Sequence, residues 1–235
     1  MPRAKLEAAL SGVDWNANVS LFLKDTADSE MMAQSILSLA IWSRQFEKAE
    51  AGNTALSFIR EMQVAGHHVA ALTSLALYKP AAAGMRTIFE TALYYTYFRR
   101  HPSELATLVR DKSYFVTKSE IIAYHKVHTA NFRSLEQCFG LLGRIEEWYG
   151  SVSSIIHGQI PGQWHTHTDL DKLGHIEKLI PEVAKTFQNG EEIVHDLFLC
   201  TVGRELWDAF SSPAKKQLLF HLSKDKKMEL GLDAA

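Results

Sequence analysis

"MMAQSILSLAIWSRQF", residues 31–46, repeats its apolar side chains at intervals of three and four: Met32, Ile36, Leu39 and Ala40, with Ser43 on the same face. A helix turns about 100° per residue, so this spacing gathers them into one stripe, whereas a half-buried strand needs alternation at every second position. The same periodicity recurs along nearly the whole chain, and strict alternation over a strand's length is hard to find. The expected fold class is therefore all-α, an up-and-down helical bundle with additional flanking helices.

The spacing predicts helices over 3–10, 28–48, 53–65, 67–79, 81–100, 103–113, 118–137, 140–157, 174–188, 190–210 and 213–222. Start signals agree with several of these. Asp28-Ser29-Glu30 opens one helix, Thr117 with Glu120 reads as a capping box, and Asn189-Gly190 separates two late helices. Pro80 interrupts the apolar stretch Val69 to Phe98, where it removes a backbone donor and disfavours helical geometry at Lys79, so a kink or split is expected there. Residues 158–171 form the one long loop, rich in Gly, Pro, His and Thr, and loops of that kind commonly carry function. One domain over 1–222 is expected, followed by a charged, poorly ordered tail over 223–235.

With 235 residues of which 46% are hydrophobic, the chain can bury a core without staples. A net charge of -2 excludes a general basic field, so contact with nucleic acid would have to come from a local patch. Cys138 and Cys200 are the only cysteines, and both lie in apolar helical patterns. They read as buried packing residues in a reducing compartment. The opening MPRAKLEAALSGVD has no continuous apolar core like that of a signal peptide. The longest apolar run, Val69 to Tyr78, is too short to cross a bilayer. A soluble, cytoplasmic protein with no membrane partner is the expectation.

Two stretches could carry chemistry. In "WYGSVSSIIHG", residues 148–158, Tyr149, Ser153 and His157 are spaced by four and share one helix stripe. Histidine is the side chain that moves protons near neutral pH, while Tyr149 and Ser153 would hydrogen-bond a ligand. A packing role for all three is the plainer reading of spacing alone. In "GMRTIFETALYYTYFRRHP", residues 84–102, Arg86 and Glu90 are four apart in an otherwise apolar helix. Such a pair is either an ordinary intrahelical bridge or an anion site in which Glu90 holds the Arg86 guanidinium or serves as a base.

The segments AAAGMRTIFETALYYTYF at 81–98 and EEWYGSVSSIIHGQ at 146–159 resemble a bacterial branch of the HEPN superfamily in their Arg-x-x-x-Glu and Ser-x-x-x-His-Gly motifs. The resemblance covers roughly the middle third to half of the chain. It implies an HEPN-like helical bundle that often dimerises, with relatives among metal-independent RNases of toxin-antitoxin and phage-defence systems. It also implies RNA or a nucleotide as ligand, and a partner protein from such a module. His157, Arg86 and Glu90 would be the catalytic set, with Ser153 and Tyr149 binding the phosphate and Arg99 and Arg100 binding substrate beyond it. No cofactor and no metal are implied.

The chain departs from that pattern at one point. HEPN nucleases typically carry an arginine shortly before the histidine, and here that window holds Gly150, Ser151 and Val152. Arg144 lies thirteen positions before His157, about 220° round the helix and so nearly opposite it. Arg86 is the candidate to supply the charge from a neighbouring helix. Without catalysis, the same protein would be a ligand-sensing or partner-binding helical subunit.

Two other groupings compete for attention. His157, His165, His167 and His175 could hold a transition metal, although no cysteine accompanies them and the nearby Asp169 and Asp171 belong to no regular element. Arg99, Arg100, His101, Arg110, Lys112 and Lys118 could form a local basic rim, or could simply complement helix ends. The aromatics Phe89, Tyr94, Tyr95, Tyr97, Phe98 and Trp148 fall at core spacings rather than as a base-stacking platform.

Overall fold

The computed structural model describes residues 2–165 and 167–232, apart from the Arg204 side chain. Among these residues it is all-α, 77% helical with no strand. Its helices are α1 Pro2–Gly12, α2 Trp15–Lys24, α3 Thr26–Ala49, α4 Leu56–Ser74, α5 Tyr78–Phe98, α6 Pro102–Arg110, α7 Lys118–His128, α8 Phe132–Phe139, α9 Leu141–His157 and α10 Ile180–Phe198. A π-helical turn at Leu199–Gly203 runs into the single turn α11, Arg204–Leu206, and α12 Ser212–Leu219 and α13 Lys224–Leu230 complete the fold. Among the described residues no helix is long and apolar enough to cross a membrane.

The centre of the bundle is α5, because it is apolar nearly all the way round. Ala81, Met85, Ile88, Phe89, Ala92, Tyr95 and Phe98 are all buried, and such a helix must be enclosed by others. It packs against α4, α9 and α10, and α3 closes the core from beyond α4 and α10. From α3, Trp42 is fully buried, stacked on Phe46 with ring centroids 5.3 Å apart. Its indole nitrogen donates to His195 Nδ1 on α10 at 3.0 Å, which fixes the rotation of α3 about α10.

Several boundaries differ from the sequence expectation, each for a local reason. The break expected at Pro80 falls four residues earlier, at Ala76, whose φ is 61°. Pro80 then sits in the first turn of α5, where backbone N–H groups have no intrahelical partner and its missing donor costs nothing. Helices expected over 53–65 and 67–79 are one helix, α4, running straight through Gly66. The helix expected over 118–137 is two, α7 and α8, broken at Asn131 with φ 60°, a conformation asparagine tolerates well.

Asn189-Gly190 does not separate helices either, since α10 runs through it. Gly190 is required there by close approach: a Cβ would lie 2.3 Å from Trp148 Cζ2 on α9. The N-cap of α3 is Asp25 rather than Asp28, and α2, capped by Asp14, is a helix the periodicity did not single out. Nor is the tail wholly irregular: Ser223 caps α13 and Leu230 is fully buried, while residues 233–235 lie outside the described residues. The Thr117–Glu120 capping box is present, with both reciprocal hydrogen bonds made.

The long loop after α9 is pinned at Trp164, which is 3% exposed and donates from its indole nitrogen to Glu182 Oε1 at 2.8 Å. Of the two cysteines, Cys200 is buried as expected, but Cys138 is exposed on the polar face of α8.

Candidate functional site

Arg86 and Glu90 lie one turn apart on α5, on the single stripe of that helix which is only half-buried. Tyr149, Ser153 and His157 follow one another along α9, and α9 packs against α5. The two stripes therefore meet. Arg86 Nε donates to Glu90 Oε1 at 2.8 Å, and Arg86 Nη1 lies 3.4 Å from His157 Nε2. Tyr149 closes the arrangement: its hydroxyl donates to the same Glu90 oxygen at 2.6 Å, and the guanidinium carbon of Arg86 lies 4.9 Å from the centre of its ring.

Each group has its state set by these neighbours. The Glu90 hydrogen bond raises the Arg86 pKa further above the ordinary arginine range, so its charge is secure. Burial, and then the bond to Glu90, push the Tyr149 phenol up to about 12, which keeps it a hydrogen-bond donor at neutral pH. A guanidinium only donates, so a hydrogen bond from Arg86 to His157 leaves the lone pair on Nε2 and the proton on Nδ1. That lone pair is therefore engaged by Arg86, on a ring that is itself exposed.

Gly158 explains why α9 stops where it does. With φ at 64° it takes the left-handed conformation that closes a helix, and the amides of Gly158 and Gln159 bond the carbonyls of Ile155 and Ser154. His157 is thereby left in the last turn, at the rim rather than inside. A side chain at Gly158 would place a Cβ 3.2 Å from Lys79 Nζ, so the glycine also makes room for a second cation from the start of α5.

A third cation is Lys118, at the N-terminus of α7. Its ammonium lies 4.7 Å from the centre of the Tyr149 ring, on a side chain that also reaches Glu146 Oε1 at 2.7 Å. Ser153 Oγ is buried beneath the stripe and makes no hydrogen bond to protein. The result is a rim of three cations, an imidazole and a phenol around one carboxylate, Glu90.

Arg99 and Arg100 do not join this site. Arg99 lies thirteen residues beyond Arg86 on the same chain segment, a separation of roughly 20 Å at helical rise. Its side chain is 4% exposed, with Nε 3.1 Å from Glu50 Oε1 and Nη1 2.9 Å from Glu205 Oε2. Tyr95 donates to the same Glu50. Arg100 pairs with Glu205. Both arginines are thus structural ties between α5, the end of α3 and the segment after the π-helical turn. They stand apart from the Arg86 cluster, with which the sequence had grouped them.

The histidines divide in the same way. His125 is buried between the hydroxyls of Thr96 and Thr129, and burial lowers its pKa to about 4. His101 stacks on Tyr97 with centroids 4.1 Å apart. Among the described residues no three histidines, cysteines or carboxylates are grouped closely enough to hold a metal ion, and Thr166, between His165 and His167, lies outside them. Arg144 faces away from His157 as its helical angle predicts, and pairs with Asp196. Lys79 is the member of the site that spacing did not reveal. Lys118 was legible as basic but not as a neighbour of Tyr149.

The chain matches no family model, no curated protein and no solved structure.

Proposed function

We propose that the Arg86–His157 cleft grips a phosphodiester and acts on RNA without a metal, as an HEPN-like endoribonuclease of a bacterial phage-defence or toxin-antitoxin module. The observation that supports this reading is the 3.4 Å approach of Arg86 Nη1 to His157 Nε2 from two separate helices at an exposed rim. In the proposed step Arg86 turns from the imidazole to the phosphate, and the freed His157 Nε2 takes the proton of a ribose 2′-hydroxyl as that oxygen bonds to the adjacent phosphorus. The bond from phosphorus to the 5′-oxygen breaks, and the departing oxygen regains a proton from the imidazolium through solvent. The products are a 2′,3′-cyclic phosphate and a 5′-hydroxyl, with no net change in protons.

Arg86 offsets the charge that grows on the phosphoryl oxygens, in the place the family gives to an arginine just before the histidine. Glu90 and Tyr149 act as positioning residues by holding the guanidinium on two sides. Lys79 and Lys118 extend the positive rim along the nucleic acid. Incubating the protein with a mixed RNA pool in EDTA tests this. Cleavage that disappears in His157→Ala and in Arg86→Ala supports the reading, and intact RNA at high protein concentration overturns it.

A second reading keeps the site and drops the chemistry. The window before His157 holds no arginine, and Arg86 spends part of its charge on Glu90. Both features favour a site that binds the phosphate of a nucleotide as a signal, in a subunit that dimerises or docks on a partner protein of the same module. Nucleotide binding that needs Arg86 but leaves RNA intact would select this reading over the first.

A further inference from the structure

On the other side of α10 lies a cavity of about 550 Å³, enclosed by α3, α9, α10 and the two C-terminal helices. Glu191 lines it and is only 8% exposed. A buried carboxyl is expensive unless it is paired, and apolar residues there would leave a more stable protein. Yet Glu191 has no cation among the described residues. Among the described residues its side chain takes a hydrogen bond from the Ser38 hydroxyl, to Oε1.

The charges around Glu191 decide what could complete it. Glu192 and Asp196, from the same helix, add negative potential. The cations in the cavity wall are already committed: Arg144 to Asp196 and, at 3.7 Å, to Glu192, and Lys226 to Asp196 at 4.0 Å. His195 does not serve either, because burial lowers its pKa to about 4 and both ring nitrogens are occupied, one by the Trp42 indole and the other by the Leu218 backbone. His221 lines the same cavity near its exposed edge. The one partner that the surroundings of Glu191 do not supply is a cation. Burial above all holds its pKa at about 8, so near neutral pH the carboxyl carries a proton that a bound cation would displace. Ile41, Phe139, Leu218 and Leu222 give part of the cavity wall an apolar surface, and Gln34, Gln188 and Gln217 add uncharged polar groups.

We propose that this cavity is a second binding site, for a small organic cation with a flat apolar body and paired N–H donors, of the amidine or guanidine class, which forks onto the two oxygens of Glu191. Two parallel charge-assisted hydrogen bonds would match the carboxylate geometry, and the apolar wall would cover the body of the ligand. The inference does not depend on the RNA chemistry of the Arg86 cleft.

Benzamidine is a direct probe, titrated into the full chain at pH 7 by calorimetry in phosphate and in Tris buffer. The expected result is saturable binding at millimolar or lower concentration, with close to one proton released per site, seen as a buffer-dependent heat. Glu191→Gln should weaken binding at least tenfold and abolish the proton release, Arg86→Ala should leave both unchanged, and benzoate should not bind. Absence of benzamidine binding, equal binding by Glu191→Gln, or a preference for benzoate would overturn the proposal. Leu218→Trp, which fills the cavity without touching the carboxyl, provides a second reading should Glu191→Gln not fold: it must lose benzamidine, and retained affinity is equally contradictory.

Discussion

Glu191→Gln should change the stability of this protein with a pH dependence whose shape follows from burial. In the fold this carboxyl titrates at about 8, against 4.5 ordinarily. Below pH 4.5 both folded and unfolded chains carry its proton, and the group has no effect on the equilibrium between them. From there upward the unfolded chain loses the proton while the fold retains it, so stability falls by about 1.4 kcal/mol per pH unit. The loss is complete once pH passes 8, at a total of about 5 kcal/mol. Glutamine keeps the shape of the protonated carboxyl and cannot titrate. The variant and the parent should therefore be similar near pH 5 and diverge progressively in favour of the variant up to pH 9. Urea denaturation of both proteins at pH 5, 7 and 9 measures this, because titrating groups that do not interact with Glu191 cancel in the difference. Parallel stability profiles would mean that Glu191 is solvated or paired in the fold, and would refute the reasoning.

Two further substitutions test the packing that positions the Arg86 cleft. Arg99→Ala leaves Glu50 facing Tyr95 without its guanidinium, in a site where Arg99 itself is only 4% exposed; a loss of about 3–5 kcal/mol is expected on denaturant unfolding, and a change below about 1 kcal/mol would show that the pair is solvated. Gly190→Ala drives a methyl to 2.3 Å from Trp148 Cζ2, so α9 must move off α10. About 1–3 kcal/mol of destabilisation should result, with a shift in tryptophan fluorescence, and neither effect would appear if Trp148 can turn aside freely.

The Arg86 cleft was largely legible in the sequence because its members repeat at intervals of four, and a helix converts that interval into a stripe without help from the rest of the fold. Which stripes would face one another was not legible, since that depends on how α5 and α9 cross. Lys79 shows the limit well. It precedes Pro80 and reads as the residue before a break, whereas the break lies at Ala76 and Lys79 lies in the first turn of α5 beside Gly158. Gly190 was misread for a related reason: a glycine that ends a helix and one that admits a neighbouring indole look the same until the neighbour is placed. Arg99 was read as a cation on a helix end, and only the distant Glu50 and Glu205 reveal it as a buried tie. Glu191 and its cavity left no trace in the spacing. Several distant helices must assemble before a carboxylate on an amphipathic helix becomes an enclosed one.

The account turns on Arg86 and His157 forming one phosphate-binding site, and imidazole NMR of the full chain reads it most directly. A 2′-deoxy dinucleotide, which lacks the attacking hydroxyl and so cannot be cleaved, should shift the His157 ring nitrogens on titration, with the shift lost in Arg86→Ala and His125 and His195 unmoved. A dinucleotide that leaves the His157 resonances in place at millimolar concentration would contradict the account.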